Sequence, residues 1–183
     1  MISGLDGILK SVCADTIEID VNGVTYEVVA KPLGHSLEGD TVSYVIWHVI
    51  NERGQTLYGF SSREAKNLAI LCATADGVGP LLASKIVQSR EDSNEIAALI
   101  YAGDPKPLSD LVSGLGRTKA QNLIDKLRTK VQPAPVNHEV STVQKGVLAL
   151  GYTATPELLR VITEECSKQG STSEKIRNVL ARL

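Results

Sequence analysis

Two short Gly-x-Gly turns recur 37 residues apart in one local frame: Gly77-Val78-Gly79 before Ala83, and Gly114-Leu115-Gly116 before Ala120. An apolar stretch precedes each, through Leu68 and Leu71 or through Leu108, Leu111 and Val112. An apolar-periodic stretch follows each, through Leu82, Ala83, Ile86 and Val87 or through Ala120, Leu123, Ile124 and Leu127. The pattern predicts helix, tight glycine hairpin, helix, written twice. Such a hairpin turns backbone N–H groups outward at the start of its second helix. Those groups and the helix dipole hold an anionic oxygen such as a phosphate. Contacts of this kind place a protein on nucleic acid without reading its sequence. Arg117, Thr118 and Lys119 flank the second turn, and Lys85 lies one turn beyond the first. Each can steady a phosphate from the side, with salt-sensitive strength. The candidate phosphate contacts are therefore Gly77, Val78, Gly79, Lys85, Gly114, Leu115, Gly116, Arg117, Thr118 and Lys119. The competing reading makes the glycines plain helix–helix turns, and Lys85 and Arg117 solvated surface.

Other chemistries find little support. Neither turn has the third glycine or the preceding strand of a dinucleotide fingerprint, and no triphosphatase loop occurs. ATP-driven work would belong to a partner. The scattered His35, His48 and His138 form no metal-ligand spacing, and no Ser–His–acid frame can be traced, so no metal, cofactor or catalytic residue is assigned. Cys13, Cys72 and Cys166 are far apart and odd in number, which predicts buried thiols in a reducing cytoplasm. No stretch approaches 18 apolar residues, which argues against a membrane span. Net charge is −2, unpromising for a nucleic-acid binder, but it is unevenly spread. Residues 1–62 carry three Lys/Arg against eight Asp/Glu, whereas residues 63–130 carry ten against eight. The turns thus lie outside the acidic part, although a surplus of two charges decides little alone.

Elements to position these turns follow from periodicity, and the fold class is multidomain. Residues 1–62 predict a small five-stranded β-barrel of the oligonucleotide-binding (OB) type, with a small open sheet as the alternative. Its strands run through Val12 and Thr16–Val21, Val24–Val28, Thr41–Trp47 and Leu57–Phe60. Asn22-Gly23 between alternating runs predicts a hairpin. Trp47 and Phe60 are expected in the barrel core rather than as base-stacking platforms. Residues 63–130 predict an all-α, tandem helix-hairpin-helix domain, starting near Ser62 and ending near Lys130, with a cap at Asp92 or Ser93 and a break at Gly103-Asp104-Pro105. Residues 131–139 read as a proline-bearing linker, and residues 140–183 as a small three-helix bundle whose second helix opens at Thr155-Pro156-Glu157 and whose third is capped by Ser171 or Ser173.

The order of parts resembles the RuvA family, the Holliday-junction-binding subunits of the bacterial branch-migration machine, over nearly the whole chain. The matching residues are Met1-Ile2 with Leu5-x-Gly7, Gly23-Val24-x-Tyr26-Glu27-Val28, Leu57-Tyr58-Gly59-Phe60, Gly77-Val78-Gly79-Pro80 with Leu82-Ala83, Leu115-Gly116 before Ala120, and Ala149-Leu150-Gly151-Tyr152. The resemblance implies a non-catalytic subunit acting in recombination and repair. It implies four subunits of fourfold symmetry, or two such tetramers face to face, holding an open four-way DNA junction through the hairpins. It also implies a C-terminal domain that recruits the RuvB ATPase motor, with the RuvC resolving nuclease joining the same junction. An exposed patch drawn from Leu148, Leu150, Tyr152, Leu158 and Leu159 is the expected motor contact, each being equally readable as core.

Three departures from the family pattern stand out. Of the acidic pin residues implied at the junction centre, Glu52 is present, but Arg53 stands where a second acid is usual. Leu81 replaces a usual basic residue after Gly-Val-Gly-Pro, and Gly4 and Asp6 occupy a strand often basic. Two readings from other classes remain: a motor scaffold that barely touches DNA, and a junction nuclease acting alone.

Overall fold

The computed structural model describes residues 1–52, 54–131, 143, 146–147, 156–166 and 171–182. The chain divides into two compact units, Met1–Ala134 and Pro135–Leu183.

The first unit opens with an antiparallel five-stranded, OB-like half-barrel of strand order β3-β2-β1-β4-β5. The strands are β1 (Gly4–Val12), β2 (Ile17–Val21), β3 (Val24–Val28), β4 (Thr41–Asn51) and β5 (Gly54–Phe60). Alternation sends Ile17, Ile19, Val42, Tyr44 and Ile46 inward, where they meet Leu5, Leu9 and Val28. Asn22 and Gly23, at φ 52° and 88°, form the tight turn that Asn-Gly predicts, braced by the Gly23 N–H donating to Asp20 at 2.9 Å. A parallel bridge between Val29 and Tyr58 ties the end of β3 to β5.

Strand β1 reaches back to Gly4, where the sequence marked only its end at Val12. Its alternation is blurred because the pairing with β2 shifts register between Leu9 and Ser11. Gly7 is required at this crossing: a Cβ there would stand 2.2 Å from the Asp20 carbonyl oxygen. Gly59, within Leu-Tyr-Gly-Phe, is similarly enclosed, with Tyr44 and Val28 side-chain carbons each 2.9 Å from a Cβ.

Five helices follow: α1 (Arg63–Cys72), α2 (Pro80–Val87), α3 (Ser93–Ala102), α4 (Pro105–Ser109) and α5 (Arg117–Leu127). Ser62, Asp92 and Asp104 cap α1, α3 and α4 by accepting from Ala65, Asn94 and Lys106 N–H groups. Gly103 ends α3 in the left-handed conformation, φ 82°. The helical core does not stop at the barrel boundary. Tyr58 and Phe60 of β5 belong to the same buried cluster as Leu68, Ile86, Ile100 and Leu123. Trp47 packs on this cluster too, its ring centroid 5.5 Å from that of Tyr58. Trp47 and Phe60 therefore weld the sheet to the helices instead of filling the barrel. Gln88 adds polar glue, its Nε2 donating to the carbonyls of Val29 (3.1 Å) and Gly59 (2.9 Å).

In the second unit, Val143, Gly146 and Val147 are helical, followed by the helices Pro156–Cys166 and Thr172–Leu180. Ser171 caps the last through a reciprocal bond with Glu174, which holds the Glu174 carboxyl below its ordinary range. Val143, Val147, Leu158, Ile162, Cys166 and Val179 form its core. Linker positions 132–139 lie outside the described residues. Among the described residues no helix is long and apolar enough to cross a membrane.

Candidate nucleic-acid interface

The two hairpins superimpose in kind, position for position. Gly77 and Gly114 stand at φ 79° and 91°, where a side chain is strained. Val78 and Leu115 follow as buried plugs, 3% and 1% exposed. Their N–H groups are already used, donating to Ala75 at 3.0 Å and to Val112 at 3.3 Å. Val78 and Leu115 therefore shape the turns and have no N–H to offer a phosphate. Ala83 and Ala120 are fully buried, which permits the close helix approach.

The second glycine of each pair behaves differently from the first. Gly79 and Gly116 are the N-caps of α2 and α5, at φ −83° and −69°. A Cβ at either would have nothing within 4 Å. Backbone angle and packing thus make no demand for glycine there. What glycine leaves is open space directly over a helix N-terminus. The first intrahelical bonds are Ala83 N–H to Gly79 and Ala120 N–H to Gly116. Ahead of them the N–H groups of Leu81 and Leu82, and of Arg117, Thr118 and Lys119, have no intrahelical acceptor.

The surroundings are unequal. Arg117 and Thr118 are exposed at the second turn, and Arg117 makes no ion pair among the described residues. Pro80 and Leu81 stand at the matching positions of the first turn, with Leu81 50% exposed. Asp76, its side chain 90% exposed, immediately precedes Gly77, with Lys126 3.9 Å away. Lys85 is engaged by Asp15 of the β1–β2 turn at 2.7 Å. Lys119 donates to the Gly114 carbonyl at 3.2 Å. Sequence reasoning missed Asp15, Asp76 and Asn122. Their pairings span 46 to 70 positions and leave no local trace.

Glu52 is exposed in the two-residue turn joining β4 to β5, and Arg53 lies outside the described residues. In the second unit Leu158 is 2% exposed and packs against Val143, Ile162 and Val179. It is a core residue and is withdrawn from the expected contact patch: the apolar stripe that suggested a patch is what closes the bundle. Leu148, Leu150 and Tyr152, and the side chain of Leu159, lie outside the described residues. Among the described residues no three His, Cys, Asp or Glu side chains cluster as a metal site. Cys72 is buried and its thiol is pushed up to about 12 by desolvation, and Cys166 is buried as expected. Cys13, however, is exposed where β1 ends and the chain turns, its N–H donating to Thr16.

Comparison with known proteins places the chain in a lineage. The family model described as RuvA N terminal domain matches residues 1–59. A relative from Corynebacterium diphtheriae is 33% identical over 203 residues, covering 100% of this chain and 98% of its own. One from Halorhodospira halophila is 31% identical, covering 100% and 97%. One from Mycobacterium marinum is 34% identical, covering 84% and 83%. Each is described as a Holliday junction branch migration complex subunit RuvA. With relatives this similar matched from end to end, the chain belongs to the RuvA family.

Proposed function

We propose that this protein binds four-way DNA junctions through the phosphate backbone and serves as the DNA-binding subunit of a branch-migration complex. The observation that carries the proposal is the pair Gly79 and Gly116. Both leave the N-terminus of a helix open at positions where the fold itself would accept a side chain. Phosphate oxygens fit such a site by charge and by size, and they carry no base identity. Gly77 and Gly114 set the turn, and Arg117, Thr118 and Lys119 supply polar and basic flanks at the second hairpin. Four copies would match the symmetry of the junction, as one tetramer or two face to face, and would gather four Glu52 side chains at its centre. Residues 140–183 would engage a RuvB-type ATPase motor, leaving the junction open to a RuvC-type resolvase. The subunit itself would catalyse nothing, and a cytoplasmic setting suits such a role.

A competition gel shift tests this reading, with labelled four-way junction against linear duplex of the same arm sequences in magnesium-free, low-salt buffer. Strong preference for the junction is expected, and equal affinity would refute it. The second reading, a motor scaffold with weak DNA binding, draws on the first hairpin, where an exposed Leu81 stands at a position the family resemblance implies is usually basic and Asp15 occupies Lys85. Motor recruitment without salt-dependent DNA binding would favour it.

A further inference from the structure

Gripping one DNA arm at two phosphates requires the two turns to be held at a fixed separation, and the structure contains a device that does this. Helix α5 belongs to the second hairpin, yet one of its faces lies along the first turn. Asn122 Nδ2 donates to the Asp76 carbonyl at 3.4 Å. Lys126 stands 3.9 Å from the Asp76 carboxylate. The Lys119 stem passes 3.5 to 3.7 Å from where a Cβ on Gly77 would be, on its way to the Gly114 carbonyl. Positions 119, 122 and 126 share one helical face. A Cβ on Gly77 would stand in ordinary contact with this stem, so the glycine answers to the turn and the stem packs beside it. The frame of the repeat adds an independent observation. Asn122 matches Lys85 in the first hairpin, 37 positions earlier, and Lys85 reaches back in the same way to Asp15 of the barrel. One position in each hairpin docks that hairpin on the module before it.

We infer that Asn122 is a positioning residue, which with the Lys119 stem locks the first hairpin turn to the second so that both meet the DNA backbone together. This rests on the phosphate-gripping reading of the hairpins. Asn122 carries no charge, so its contribution is one of geometry. Asn122→Ala is favourable for the helix and keeps the fold.

The test is a set of double-mutant cycles read by junction binding across a salt series. Asn122→Ala alone is expected to weaken binding roughly 5-fold with the salt slope unchanged. In a Gly79→Val background, and equally in a Gly116→Val background, it should have no further effect, because a lock between two grips is useless once either is gone. An Asn122 that touched DNA directly would keep its effect beside Gly79→Val and lose it only beside Gly116→Val; that pattern would overturn the inference, as would wild-type affinity in Asn122→Ala. Hydrogen exchange of the free variant gives a second readout. Faster exchange across residues 74–79 is expected, and unchanged exchange there would also overturn it. Wild-type protein that binds DNA without preferring junctions would remove the proposed function while the cycles still read the lock on duplex. No salt-dependent DNA binding at all would remove both.

Discussion

Gly116→Ala separates the cost of a glycine to the fold from its use to the function. The added methyl enters space empty to 4 Å, at φ −69°, which any residue adopts. Losing glycine at a helix N-cap costs roughly 0.5–1 kcal/mol, and restricting the unfolded chain returns about 0.4–1 kcal/mol. The net change in stability should fall under about 1 kcal/mol. If the proposed phosphate grip holds, the same methyl would occupy the place of a phosphate oxygen held by the N–H groups of Arg117 and Thr118. Forfeiting one charge-assisted hydrogen bond costs about 1.5–3 kcal/mol, or roughly 10- to 150-fold in affinity. Gly114→Ala provides the contrast. At φ 91° it should cost stability about 1–2 kcal/mol, and DNA binding only as the turn distorts. Denaturant unfolding paired with junction binding at fixed salt measures both quantities. Unchanged affinity in folded Gly116→Ala, or a loss no larger than its loss of stability, would refute the reasoning.

Four further outcomes are expected. Arg117→Ala should weaken binding to junctions of different sequence equally and lower the salt slope by about one unit, measured by titrations on two unrelated junctions. Gly7→Ala should cost about 3 kcal/mol or more in denaturant unfolding, because its Cβ would meet the Asp20 backbone oxygen at 2.2 Å. Burial pushes the Tyr44 phenol up to about 12, so its stabilisation is complete below about pH 10 and lost as pH rises through 12; phenolate absorbance of wild type against Tyr44→Phe should isolate a component titrating there. A fragment of residues 1–134 should bind junctions as the full chain does but fail to stimulate the motor ATPase, and retained stimulation would show that the second unit has another role.

Much of this fold was legible because its signals are local. The Asn22-Gly23 turn, the caps at Ser62, Asp92 and Ser171, and Pro80 at the first turn of α2 each act within four residues. The repeated glycine frame exposed both hairpins for the same reason. What stayed hidden depends on distant partners. Strand β1 was blurred because Gly7 and the register shift answer to β2 rather than to alternation. Trp47 and Phe60 read as barrel core because nothing in a strand says that a helix will cover its end. In the candidate site, sequence found the turns but not the division of labour within them. Val78 and Leu115 are plugs, the first glycines carry the backbone angle, and the second glycines leave the helix N-termini open. Likewise Lys85 looked free until folding brought Asp15 to it.

Hydrogen–deuterium exchange on the full chain, with and without a four-way junction, addresses the helix N-termini most directly. The amides of Gly79, Leu81 and Leu82, and of Gly116 through Lys119, should slow when the junction is added and recover as salt displaces it. Protection confined to other segments, with these amides exchanging as in the free protein, would contradict the account.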